Sequence, residues 1–296
     1  MPRPFLTSLL SALLLIGAVP GETPVEEVAD LPPARRVVSM NPSLTSIFVA
    51  LGASSVLVGI EEHAAELHPE LASVPVVGGL FNPSLEAVVA LEPDLVVLVP
   101  SAEQRDFRGR LEALGIEVLV LPNISVEEIL TSIEVLGAHV GRAEEARARV
   151  EEIRRTFAQA EAAAAARPPV RAVVVLQRDP LFVVGRGSFI DEMLRAAGVD
   201  NVARELLDPY PRAAVEWLIA AAPELILDAS DEPPNAAAFW ARWPSIPAVA
   251  NGGAFALPAS ATYPGPYIDR SLRLIAERVT AREATAPRRR TAGEMP

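Results

Sequence analysis

Residues 85–97 (LEAVVALEPDLVV) recur without a gap as residues 215–227 (VEWLIAAAPELIL), 130 residues later. Each copy places a glutamate in a first helical turn, Glu86 or Glu216, runs an apolar helix, and stops at a proline followed by an acid. Proline explains the stop, because it cannot continue a helix and drives the residue before it out of helical geometry. The acid leads into a run with the content of a buried strand. A weaker echo relates Pro42 to Gly52 with Gly187 to Gly198, with one residue of slack. A repeat of this kind implies two like lobes of about 110 residues each, and 296 residues accommodate both.

The elements around the repeat define the class. Val37-Val38-Ser39, Val56-Leu57-Val58, Leu95 to Val99 and Val118 to Leu121 read as strands, with helices over Leu44 to Leu51 and Leu85 to Leu91 between them. That alternation predicts an α/β layer with a mostly parallel sheet. It then stops. Ser125-Val126-Glu127-Glu128 opens a helix with a capping box, and Gly141 ends it. Ala143 to Ala166 is rich in Ala, Glu and Arg, and would extend about 36 Å as a helix. Its apolar positions are sparse: Val150, Ile153, Phe157, then alanines. It reads as a rigid strut across two lobes rather than the centre of a core, with a lone coiled-coil segment as the alternative. After Pro168-Pro169 come strands Ala172 to Leu176 and Phe182 to Val184, and helices Phe189 to Ala197 and Ala214 to Ala221. Strand Leu225 to Leu227 and a last helix, Tyr267 to Val279, complete the pattern. The expected organisation is an N-terminal α/β lobe over 35–142, a bridging helix over 143–167 and a C-terminal α/β lobe over 170–280.

The ends differ from the middle. Met1-Pro2-Arg3 and the apolar run Phe5 to Val19 make residues 1–20 a secretory signal, or an N-terminal anchor if the segment is retained. Residues 282–296 lack an apolar period and are expected to form a disordered tail. No cysteine is present, so the chain has neither a lipoprotein acylation site nor a disulfide.

Several function classes are excluded. All 26 basic residues are arginine, which removes the lysine of a Walker A loop or a Schiff base. A net charge of −12 opposes a nucleic-acid partner. Gly185-x-Gly187 lacks the third glycine of a dinucleotide fingerprint, and neither a G-x-S-x-G elbow nor an H-E-x-x-H is present. A chelatase-like metal-tetrapyrrole enzyme, the alternative from another class, would call for clustered His or Cys, and the chain holds three His.

Arg36-Val37-Val38-Ser39 with Asn41-Pro42-Ser43 resembles the opening of the cobalamin-, siderophore- and haem-type periplasmic solute-binding proteins of ABC importers, the helical-backbone metal receptors. Val76-Val77-Gly78-Gly79, Ser84-Leu85-Glu86, Leu91 to Val96 and Val184 to Asp191 continue the resemblance in order. Trp243 to Val249 and Pro264-Gly265-Pro266 complete it, over about residues 35 to 280. The resemblance implies the class III fold: two Rossmann-like α/β lobes joined by a single long helix. It also implies an extracytoplasmic, non-enzymatic, monomeric receptor with no intrinsic cofactor, which docks on a permease dimer with its ATPase through one acid per lobe. Glu86 and Glu216 fall on those positions. Read as residues alone, they could equally compensate a helix dipole.

Ligands of open α/β sheets bind outside the carboxyl ends of the strands. In the first lobe those loops carry Asn41, Glu62, His63, Phe81, Asn82, Ser101 and Gln104; in the second, Gln177, Arg178, Arg186, Tyr210, Tyr263 and Tyr267. All three tyrosines fall in second-lobe loops or at a helix start, as cleft contacts would. Glu61-Glu62-His63 with Glu66 and His68 matches no tight metal motif and reads first as a solvated loop. His63 alone is a candidate axial ligand to the cobalt or haem iron of a bound chelate. His139 and Trp243 read as structural, and Trp240 is left open. Two arginines are few for a polyanion, whereas Asn, Gln and Tyr suit the amide-rich rim of a corrinoid. The ligand expected is therefore cobalamin or another corrinoid, with haem and then a ferric siderophore as alternatives.

Overall fold

A computed structural model of the protein describes residues 32–79, 82–101, 105–233 and 235–285. In the first half, strands β1 (Val37–Ser39), β2 (Leu57–Ile60), β3 (Leu95–Leu98) and β4 (Glu117–Val120) form a parallel sheet in the order β2-β1-β3-β4. The central strands β1 and β3 are buried throughout, which is why they read as unbroken apolar runs rather than alternating ones. Helices α1 (Pro42–Ala50), α2 (Glu62–Leu67), α3 (Leu85–Ala90) and α4 (Arg105–Ala113) connect them. Their starts are set by side chains: Asn41 caps α1 by accepting from the Ser43 N–H at 3.0 Å, and Ser84 caps α3 by accepting from the Ala87 N–H at 3.2 Å.

Helix α5 (Val126–His139) follows with the predicted capping box intact, Ser125 accepting from the Glu128 N–H while the Glu128 carboxylate accepts from the Ser125 N–H. Gly141, at φ +68°, turns the chain into α6 (Ala143–Ala164), the long helix between the sheets. The second sheet contains β5 (Val170–Arg178), β6 (Leu181–Val183) and β7 (Val199–Asn201), then β8 (Leu225–Asp228) and β9 (Ala254–Ala256). Its order is β6-β5-β8-β9, with β7 also on β5, and β6 is the antiparallel member. Helices α7 (Phe189–Ala196), α8 (Val215–Ala221), α9 (Ala236–Trp240), α10 (Pro247–Ala250) and α11 (Ile268–Thr285) complete the fold.

The repeat is a structural one. Leu95 pairs with Val37 at the start of β1, and its counterpart Leu225 pairs with Ala172 near the start of β5. An arginine at the start of each central strand, Arg36 just before β1 and Arg171 as the second residue of β5, ties down the end of the repeat helix. Arg36 donates to the Leu91 carbonyl at 2.6 Å, and Arg171 donates to the Ala221 carbonyl at 2.8 Å. The next residue in each copy is left-handed, Glu92 at φ 45° and Ala222 at φ 47°. Two non-glycine residues held in that costly conformation at matched positions mark the same helix-to-strand turn twice.

The long helix departs from expectation in one respect. Ala146, Val150 and Ile153 are buried within an apolar cluster that runs from the first sheet's helices to the second's, so α6 lies inside a shared core as well as spanning it. Small residues make this feasible: a Cβ on Gly137 of α5 would collide with Ala146, so the two helices approach closely there. Trp240 is fully buried, whereas Trp243, the tryptophan expected in the core, is partly exposed. Residues 1–20 lie outside the described residues, and α11 runs on to Thr285, into the segment expected to be a disordered tail. Among the described residues no helix is long and apolar enough to cross a membrane.

Candidate functional site

The carboxyl ends of both sheets carry the loops named above. In the first lobe Asn41 is spent on its cap: its Oδ1 accepts from the Ser43 backbone and hydroxyl, and it is only 9% exposed. At the end of β2, Glu61 is fully buried and caps α2 by accepting from the His63 and Ala64 N–H groups. The same carboxylate lies 3.2 Å from His63 Nδ1, while the imidazole is well exposed. A histidine whose Nδ1–H is held by a carboxylate presents Nε2 outward, the arrangement found behind many ligating histidines. Glu62 and Asn82 meet across Gly79, where a Cβ would stand 2.7 Å from Asn82 Oδ1 and 2.9 Å from the Glu62 carboxyl carbon. Phe81 and Gln104 lie outside the described residues.

In the second lobe two arginines differ from expectation. Arg178 is turned inward: Nε donates to Asp228 Oδ2 at 2.9 Å, Nη1 donates to the Glu232 carbonyl at 2.6 Å, and the guanidinium covers the Phe239 ring at 4.4 Å. Asp228 also accepts from Trp240 Nε1 at 2.7 Å and from the Ser230 hydroxyl at 2.7 Å. Burial leaves no reason for these groups to stay unpaired, so the cluster closes on itself and fixes the loop after β8. Arg186 is exposed and opens onto a separate hollow of about 680 Å³ shared with Arg171, Arg204 and Trp217. Gln177 is half-buried and donates to the Asp179 carbonyl at 3.0 Å.

Tyr210 is placed by a glycine. A side chain at Gly185 would strike the Asp208 carbonyl and Pro211, so only glycine lets the 208–211 loop lie against the turn before α7. There the Tyr210 phenol is pushed above its ordinary value of 10.0 by burial, with a hydrogen bond to Ser188 acting in the opposite sense.

The structure joins the other two tyrosines to the first lobe. Tyr263 and Tyr267 line a cavity of about 430 Å³ whose far wall is Ser46 of α1 with Leu67 and His68 at the end of α2. Arg270 also lines it, its guanidinium 4.4 Å over the Tyr267 ring. Asn41, His63, Asn82, Gln177, Arg178, Arg186 and Tyr210 do not line this cavity. Sequence reading missed Ser46 and Arg270, which lie on helices rather than on loops leaving strands, and it took His68 for part of a solvated loop, whereas residues 62–67 form α2 and His68 is buried at its end. His68 is held at both nitrogens: Nε2 is 2.8 Å from the Ser46 hydroxyl, and Nδ1 is 3.2 Å from Glu70. The Glu70 carboxyl is held below its ordinary value by its own backbone N–H, opposed by burial and assisted by His68.

Glu86 and Glu216 are both exposed, in the first turns of α3 and α8, and neither has a hydrogen-bond or ion-pair partner among the described residues. The described residues contain no cluster of three or more His, Cys, Asp or Glu able to hold a bare metal ion.

Known proteins share this fold. A vitamin B12-binding protein of Salmonella choleraesuis (strain SC-B67) is 27% identical over 194 residues, 66% of this chain and 72% of that protein. The periplasmic vitamin B12 binding protein BtuF of Vibrio cholerae superposes with a TM-score of 0.74 at 22% identity, covering 85% of this chain and 98% of that one. The apo periplasmic heme-binding protein RhuT from Roseiflexus sp. RS-1 gives 0.72 at 21% identity, covering 86% and 100%. The sequence profile of the periplasmic binding proteins matches residues 37–261, and the chain belongs to that family.

Proposed function

We propose that this chain is the extracytoplasmic solute-binding component of an ABC importer, capturing a metal chelate between its lobes and delivering it to a permease dimer driven by its ATPase. Residues 1–20 would export it, either cleaved or retained as an anchor. The observation that carries the reading is a pair of exposed, unpartnered carboxylates, Glu86 and Glu216, at equivalent helix starts on two like lobes that share a cavity. Two carboxylates fixed on one frame can each enter an arginine pocket of a permease and so set orientation.

The chelate proposed is cobalamin or another corrinoid. The vitamin B12-binding relative supports this, and so does the charge of the cleft loops. Those loops carry Glu61, Glu62, Asp231 and Glu232, while the Arg178 guanidinium is engaged inside the lobe. A ligand bearing several anions would be poorly served there, whereas the amides of a corrinoid can pair with Asn82, Gln177 and the tyrosines. Haem is the second reading, favoured by His63, whose Glu61-held ring points Nε2 outward as an axial ligand would.

Visible absorption of the purified chain, titrated separately with cyanocobalamin, haemin and ferric siderophores, tests the assignment. A saturable corrinoid complex is expected. Saturable binding of haemin or a siderophore without any corrinoid binding would overturn the ligand assignment, and binding of none of them would overturn the transport reading.

A further inference from the structure

We infer that the cavity between α1, the end of α2 and the start of α11 is a subsite for the phosphodiester-bearing nucleotide arm of a corrinoid. The inference rests on the corrinoid reading above. At about 430 Å³ the cavity lies toward the small end of ligand pockets, which run from about 300 to 1,000 Å³. It suits an arm of one flat base, one sugar and one phosphate better than a whole macrocycle.

Its charge is unusual for this chain. The protein carries a net charge of −12, yet no Asp or Glu lines the cavity, whereas Arg270 and His68 do. The Arg270 guanidinium is held in place by stacking 4.4 Å above the Tyr267 ring. His68 is fixed at the wall by its hydrogen bonds, Nε2 lying 2.8 Å from the Ser46 hydroxyl and Nδ1 3.2 Å from Glu70. Ser271 and Tyr263 add hydroxyls. One fixed cation and two hydroxyls, in a cavity lined by no carboxylate, form a phosphate site, and Leu67, Pro264 and Leu274 offer apolar surface for a flat base.

The test compares cyanocobalamin with dicyanocobinamide, which lacks the nucleotide arm, on the full chain. Cobalamin should bind about tenfold tighter or more. Arg270→Gln should weaken cobalamin by a similar factor and leave cobinamide unchanged, with Arg270→Lys intermediate. α-Ribazole 5′-phosphate should compete with cobalamin, while inorganic phosphate at equal concentration should not. Equal affinity of the two corrinoids, an equal loss for both in Arg270→Gln, or equal competition by inorganic phosphate would each overturn the subsite and leave the corrinoid reading standing. If neither corrinoid binds, the reading and the subsite fall together.

Discussion

Arg178 reaches the cleft end of β5 and was expected to touch ligand, yet its guanidinium is committed to Asp228. The side chains are 3% and 0% exposed, and Asp228 also accepts from Trp240 and Ser230. Arg178→Met keeps the length of the side chain and removes its charge, leaving a buried carboxylate with neutral donors alone. Breaking one side of a buried pair costs about 3–5 kcal/mol. In a protein of this size that lowers the melting temperature by about 6–10 °C. Adding Asp228→Asn removes the orphaned charge, so the double variant should be more stable than Arg178→Met alone, the sign of direct coupling. Urea melts followed by tryptophan fluorescence would measure Arg178→Met, Asp228→Asn and the double variant, with ligand affinity determined on the same samples. A loss below about 1 kcal/mol, outside the range for a broken buried pair, together with a collapse of affinity would refute the internal role and return Arg178 to the ligand site.

Reversing the two acids proposed to dock, Glu86→Arg with Glu216→Arg, should abolish chelate uptake in cells while leaving solution affinity within about twofold of wild type, because rim charges act on partner encounter; normal uptake, or loss of the ligand, would refute the docking role. A spectrophotometric titration of wild type against Tyr210→Phe should show the lost phenol ionising above 10.0. Because the folded chain keeps that proton where the unfolded chain loses it, stability should fall as the pH rises past the unfolded value of about 10; a Tyr210 phenol ionising at or below 10.0 would contradict its placement.

The two-lobe α/β plan was legible because it repeats, and a repeat carries its information in spacing rather than in any single residue. Strands β1, β3 and β8 were legible as apolar runs buried on both faces. Strands β7 and β9 and helices α9 and α10 were not, since each has five residues or fewer and depends on tertiary pairing. The positions of Trp240 and Trp243 could not be ordered from sequence. Trp240 is buried in the apolar cluster of the second lobe, where its indole N–H finds Asp228, a partner twelve residues earlier that also accepts from Arg178. In the site, loops after strands nominated Tyr263 and Tyr267, but the opposite wall is built from Ser46 and His68, on or at the end of helices. Only the approach of the loop before α11 to the first lobe, where a Cβ on Gly265 would stand 3.4 Å from the Ser43 carbonyl oxygen, brings them into reach.

How far the lobes can move is decided by what crosses between them. The Phe189 N–H donates to the Ile124 carbonyl at 2.6 Å, joining the start of α7 to the loop before α5. Arg149 of α6 donates to the Pro266 carbonyl at 2.7 Å and pairs with buried Asp269, and Arg273 of α11 donates to Thr156 at 2.8 Å. Val150 and Ile153 lie in an apolar cluster continuous with both lobes, so a hinge within α6 would have to open close-packed core as well as break helical hydrogen bonds. Flexible strands at a crossover would carry neither cost. Small-angle scattering of free and chelate-loaded protein should therefore agree in radius of gyration to within about 1 Å, the scale of change in pre-organised complexes. A contraction of several ångströms on loading would mean that the shared core comes apart during the cycle, and that α6 acts as a hinge instead of a strut.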